Sequence, residues 1–302
     1  MNEVKMQNVT TLIPEHTDET CESIEVSSEL PVTLVNDLDH VEEVLDGYSQ
    51  LLSHDEMEHA NLQGSESYAM TVLKLRGYEG CESWMETLKK SADAAYKAII
   101  ETLRSIKEFF FGEGEKQVQV ADEKAQESVE ALAELDKSAP IKDGKVKEPT
   151  SYFKGIGESV EIQKLLDKHP SLKQAIDKIN QSVSRVANSQ TVGQLGAVYQ
   201  DIRKSASSCA EELNKKLKET LGKAEKAANE MKSPKTVADD APQEVKDAAK
   251  TEHKESVDEA KEETKQSRLL ATLRNKIVSV LNSVSSNANS VKVDEPESEF
   301  KG

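Results

Sequence analysis

His54 and His59 flank Asp55, Glu56 and Glu58, and imidazoles with carboxylates at this density are the donor set of a zinc or other divalent-cation site. Their spacing works against it. Two histidines five residues apart point about 140° away from each other on a helix, whereas a separation of four would stack them on one face. The segment therefore reads as a solvated acidic helix and not as a metal site. His16, His40, His169 and His253 are scattered, and none stands beside a credible nucleophile, so acid–base or Ser/Cys catalysis has no support. Gly155 and Gly157, after Tyr152, Phe153 and Lys154, lack the preceding apolar strand and the Gly-Lys-Ser/Thr ending of a phosphate loop. Cys21, Cys81 and Cys209 are odd in number and far apart, which argues against a disulfide framework and for a reducing compartment. The expectation is a protein that is not an enzyme and uses no cofactor.

The elements that carry these residues are helical. Of 302 residues, 36% are hydrophobic, 4% aromatic and 31% charged, which is little apolar material for a single large core. Gly and Pro are scarce, and Ala, Glu, Lys, Leu and Ser favour helix over sheet. The fold class expected is all-α: amphipathic hairpins and long helices joined by disordered linkers. Charge is polarised along the chain. The first 66 positions hold sixteen acids and one lysine, while the remaining 236 hold 40 acids and 38 bases. Such polarity serves docking and solubility.

Residues 1–30 show neither helical nor strand period and read as a disordered acidic leader. An N-terminal helical block follows at 31–112. Leu34, Leu38, Val41, Leu45, Tyr48 and Leu52 recur at steps of four and three, placing Asp37, Asp39, Glu42, Glu43 and Asp46 mainly on the opposite face of an acidic helix that needs a partner. Gly64, Gly77 and Gly80 bracket a second short helix with Met70, Val72, Leu73 and Leu75, which would pair with the first as a hairpin. Ser83 and Glu86 form a capping box for a third helix, carrying Trp84, Leu88, Ala92, Ala95, Ile99, Leu103, Ile106 and Phe110 on one stripe, with Gly112 as its stop.

Residues 113–150 read as a frayed helix plus polar linker, with Pro140 and Pro149 marking breaks. A second helical block at 151–232 carries Leu172, Ile176, Ile179, Val183 and Val186 after Pro170, and then a long stripe from Leu195 to Met231. Residues 233–266 form a low-complexity charged segment, either a lone helix or unfolded. An amphipathic helix at 267–290 carries Leu270, Leu273, Ile277, Leu281 and Val284, and an acidic tail closes at 291–302.

Phe109, Phe110 and Phe111 end the third helix, and each is worth roughly 1.5–3 kcal/mol if buried. Two readings stay open at this point. Either the helix packs on its acidic neighbours as core, or it docks on a partner or a membrane surface. Residues 159–235 hold 14 bases against 9 acids. Without clustered arginines this supports at most weak, salt-sensitive proximity to nucleic acid.

The succession LVNDLDHVEEVLDGYSQLL from Leu34, MTVLKLRGYEG from Met70 and ESWMETLKKSADAAYKAIIETLRSIKEFFFG from Glu82 resembles the N-terminal part of internal head proteins of large tailed bacteriophages. The resemblance covers roughly Val32 to Gly112. It implies a virion protein packaged in the head interior after assembly in the host cytoplasm, with capsid or head-core proteins as partners and self-association as a further contact. The docking residues expected on this reading are Trp84, Ile99, Leu103, Phe109 and Phe110. Some relatives lose an N-terminal region to a prohead protease that cuts after Leu/Ile-x-Glu, which here selects Glu15, Glu134 and Glu158 as candidate cleavage positions.

Two other readings compete with it. A peripheral membrane protein would lay its two basic amphipathic helices, ending near Phe111 and Ser285, in an interface. A stress-type chain that folds late would explain the Lys/Glu/Ala segment near residue 250. No basic start with an apolar run marks a secretory signal, and no window reaches the roughly 18 apolar residues of a membrane span. A soluble, intracellular protein with membrane contact disfavoured is the expectation.

Overall fold

Residues 31–53, 64–73, 84–141, 159–238 and 240–291 are described by the structure, a computed structural model. The leader, the His54/His59 motif, Ser83, Gly77, Gly80, Gly155 and Gly157, and all of the tail beyond Val291 lie outside these residues. So do Glu15 and Glu158. The described chain is all-α: α1 (Val32–Leu51), α2 (Ser65–Val72), α3 (Trp84–Glu108), α4 (Gly114–Glu134), α5 (Val160–Lys168), α6 (Pro170–Ser184), α7 (Val192–Lys232) and α8 (Gln243–Ser290). Among these residues the only β pairing is an isolated bridge between Pro140 and Thr191.

Local chemistry sets several boundaries. The Ser159 hydroxyl accepts from the Ile162 amide at the start of α5, and the Thr191 hydroxyl accepts from the Gln194 amide at the start of α7. Pro170 opens α6, where its missing N–H costs nothing. Gly64, at φ 57°, occupies the left-handed region immediately before α2. Gly47 lets α2 approach α1 so closely that a Cβ there would lie 1.9 Å from the Ser65 carbonyl oxygen.

Long helices dominate the architecture. α7 has 41 residues and α8 has 48, so at 1.5 Å per residue they run about 60 and 70 Å. They form the principal antiparallel pair. α3 and α4 together make a third rod, parallel to α8 and antiparallel to α7. Asp93 of α3 pairs with Lys232 near the end of α7, whereas Asp122 of α4 pairs with Arg203 near its start. The Arg203 guanidinium donates to both Asp122 oxygens at 2.9 and 2.8 Å, a bidentate, largely covered link. A fourth position on the bundle is shared. α1 lies along the N-terminal half of α8, and α6 lies along the first half of α7.

The join between α3 and α4 departs from expectation. Gly112 does not stop the helix; Phe109–Glu113 form a π-helical turn that leads straight into α4. The apolar pattern explains why. Ile99, Leu103, Ile106 and Phe110 are buried at heptad spacing, which if continued would bury position 120. Val120 is instead 38% exposed and Ala121 is fully covered, so the stripe has slipped by one residue. The wider π turn absorbs that extra residue and keeps both stripes facing α8 and α7.

Two further expectations are corrected. The helix expected within 113–150 is not frayed: α4 runs unbroken for 21 residues and buries Ala121, Ala125, Val129 and Leu132. The charged segment at 233–266 is neither lone nor unfolded beyond Pro242; it is the first half of α8 and buries Ala249, His253, Val257, Ala260 and Thr264. Both stripes rest on Ala, Ser and Thr, whose small side chains permit close helix approach but add little to a hydrophobicity count. For the same reason the chain does hold one large core. A single cluster of buried residues extends from Leu34 to Ala288 and joins both expected blocks.

Candidate functional site

Ile99, Leu103 and Phe110, expected to dock a partner, are 0% exposed within the chain itself. They are core residues. Phe109 is partly covered and meets Phe110 edge-on, with ring centroids 4.9 Å apart. Trp84 is the first residue of α3. The membrane-surface reading loses its basis with them, because the stripe of α3 faces α7 and α1, and that of α8 faces α7, α4 and α1, instead of solvent. No described helix is long and apolar enough to cross a membrane. Glu134 ends α4 in an exposed position, yet Leu132 of the same triplet is only 2% exposed. A protease that reads Leu132 must first unwind the last turn of α4.

The bundle interior holds two polar assemblies. In the first, the Tyr48 hydroxyl stands 2.8 Å from the Ser91 hydroxyl and 2.8 Å from His253 Nε2, connecting α1, α3 and α8 through one buried oxygen. Burial raises the Tyr48 phenol above its usual range and pushes the His253 imidazole down to about 4, so the ring is neutral at physiological pH.

The second assembly surrounds Arg274, a guanidinium with no exposed surface. Its Nε donates to Asn214 Oδ1 at 2.6 Å, its Cζ lies 5.1 Å from the Phe110 ring centroid, and Nη1 and Nη2 have no hydrogen-bond partner. Gly114 makes room for it, since a Cβ there would approach Nη1 to 2.9 Å. Burial lowers the Arg274 pKa to about 10, which leaves it charged. Neither assembly was read from the sequence. The signal was present in the spacing, because His253 and Arg274 occupy stripe positions of α8 otherwise filled by Ala249, Val257, Leu270 and Ile277.

Cys209 is sealed in the core, where burial and the nearby Glu212 push its thiol up to about 12. Such a thiol is a packing group and a poor nucleophile. Burial likewise pushes the Tyr199 phenol up to about 12.

At the surface, α1 and α8 meet along an ionic seam. Arg268 pairs with Asp39 at 2.5 Å and Glu42 at 2.8 Å, and Lys261 pairs with Asp46 at 2.5 Å. The acidic helix thus finds its partner within its own chain. Burial raises the Glu42 carboxyl, with Arg268 pulling against it. For Asp258 burial also pushes upward, but hydrogen bonds from Ser49 and Lys254 win and hold it below the usual range. Two shallow grooves of about 410 and 340 Å³ border the seam, one against α5 and one against α1, with Lys265 in both. Their charges are matched: Lys265 meets Glu161 at 2.5 Å and Lys168 meets Glu262 at 2.8 Å. Among the described residues, no group of three or more His, Cys, Asp or Glu could hold a metal ion.

Comparison with protein-family models, with curated proteins and with solved structures finds no match for this chain.

Proposed function

We propose that this chain is a structural virion protein without catalytic role, packaged inside a phage head and acting stoichiometrically through the outside of a long helical bundle. The observation that supports the reading is the use made of the reactive residue types. Tyr48, Cys209 and His253 all serve as interior packing groups of one elongated core, and the outer faces carry mixed charge. The resemblance of residues 32–112 to internal head proteins supplies the setting. Docking on a capsid or head-core partner falls to exposed residues of the N-terminal helices, Asp37, Glu43, Tyr68 and Phe111, since the inner stripe is spent on folding.

The exposed lysines of α7, Lys204, Lys215, Lys218, Lys223 and Lys226, alternate with Asp201, Glu211, Glu219 and Glu230. That alternation tolerates packaged DNA nearby and gives only contact that salt removes. Mass spectrometry of purified, nuclease-treated particles tests the proposal: the chain is expected at fixed copy number, and its absence would refute the reading. Within particles, Phe111→Ser is expected to reduce incorporation without changing the melting temperature. Phe110→Ser is expected to abolish cooperative melting.

A further inference from the structure

We propose that Tyr48, Ser91 and His253 form an acid-labile latch, and that protonation of His253 frees the α1–α2 hairpin and uncovers the apolar seam between α1 and α8. At the latch a single buried hydroxyl ties α1 to α3 and α8 together. Tyr48 is fully buried and His253 is 2% exposed, so no water takes over when their hydrogen bond fails. The neutral ring accepts from, or donates to, the Tyr48 hydroxyl. The protonated ring has two donors, is charged, and among the described residues meets no carboxylate.

The surroundings are specific on that point. From α1 the ring meets Tyr48, and through it Ser91 of α3. The stripe residues one turn away on α8 are Ala249 and Val257, and the facing end of α7 buries Ala227, Ala228 and Met231. The nearest charges on α8 are committed outward, Glu252 to Lys235 and Lys254 to Asp258. Burial alone depresses the ring, with no charge from α1, α3, α7 or α8 contributing.

Hairpin release has a local route. α1 is held otherwise by its buried apolar stripe, by the Ser49 hydroxyl donating to Asp258, and by the Arg268 and Lys261 ion pairs, which are partly exposed and individually weak. Loss of the latch therefore shifts an opening equilibrium that still favours the closed form. Glu42, raised by burial, favours the closed form as it gains a proton. Protonation of His253 acts in the opposite sense, because burial depresses its ring in the closed form. His40 rides on α1, bonded to Tyr68 within the hairpin at 2.6 Å, and moves with it.

Release exposes Leu34, Leu38, Val41, Leu45 and Tyr48 together with their seat on α8. The inference concerns the chain alone and holds whichever particle contains it.

Hydrogen exchange of the full chain at pH 7, 6 and 5, corrected for intrinsic rates, tests the latch. An imidazole moving from about 4 when latched to 6.5 when free shifts the opening equilibrium on the order of 20- to 30-fold by pH 5. Protection of α1 is expected to fall by that factor, while α4 and the C-terminal half of α8 keep theirs. In His253→Gln, which retains a partner for Tyr48, α1 protection is expected to stay constant with pH. Equal protection of wild-type α1 at pH 7 and 5, or the same loss in His253→Gln, overturns the proposal. If that variant does not fold, the wild-type His253 ring-proton shift decides: a ring that titrates near 6.5 while α1 stays protected overturns it as well.

Discussion

Arg274 is the most expensive side chain in the bundle, a buried cation with one satisfied nitrogen out of three. Removing a guanidinium from water without a counter-ion costs several kcal/mol, offset here by Asn214 and the Phe110 face. The double variant Arg274→Met/Asn214→Leu is expected to raise stability by about 1–3 kcal/mol in urea denaturation. Arg274→Ala, which leaves a cavity and an orphaned amide, is expected to lower it. His253 acts oppositely to a salt-bridged group. Its folded pKa of about 4 lies below the unfolded 6.5, so its contribution is complete above pH 6.5 and is lost as pH falls toward 4. Global stability is expected to drop by about 2 kcal/mol between pH 7 and 5 from this residue alone, as read by denaturant midpoints with His253→Gln as control. In a Cys21→Ser/Cys81→Ser background, Cys209 is expected to resist thiol reagents until the bundle unfolds. These roles escape a reading by residue type because a polar group on an apolar stripe shows its position through spacing but not which neighbours it meets across the core.

Elements were legible to different degrees. The stripes from Leu34 to Leu52, Leu172 to Val186 and Leu195 to Met231 mark α1, α6 and α7, since large side chains at steps of three and four leave little ambiguity. α4 and the first half of α8 were less legible, because alanine is apolar in a tight interface and unremarkable in solvent. The π turn was missed because Gly112 looked like punctuation. Its origin in one surplus residue gives a sharp expectation. Deleting Gly112 restores unbroken heptads and is expected to leave the melting temperature unchanged or higher. Deleting Glu123, only eleven positions on, rotates the remainder of α4 out of the core and is expected to abolish the cooperative transition. Gly222, within α7 and with open space at its Cβ position, is expected to gain about 0.5–1 kcal/mol on mutation to Ala, whereas Gly47→Ala is expected to displace α2.

At the scale of the molecule, the sequence suggested separate rods on linkers, and the core joins them. The difference is physical: α3 shares its stripe with α7, and α1 shares its seat with α8, so each expected block completes the other's interior. Calorimetry at pH 7 is expected to show one transition, with α1 lost early only under acid. Truncation after residue 266 is expected to unfold the first block as well, because it removes Arg274 beneath Phe110 and Arg268 beside Asp39 and Glu42, along with the half of α8 on which α4 rests. Charge polarity also changes meaning. Part of the N-terminal acid excess is neutralised by Lys261 and Arg268, so the polarity serves folding as well as the exterior.

The short bridge between Pro140 and Thr191 carries its own consequence. The amide of Ile141 donates to Gln190 O at 3.1 Å and that of Val192 to Ala139 O at 3.0 Å, so the chain leaves and re-enters the bundle through one doorway. Everything between those strands, α5 and α6 included, is topologically an insert with adjoining ends. Such an arrangement lets the intervening stretch be exchanged without rethreading the three long rods, provided that the replacement again covers the face of α7 on which α6 packs.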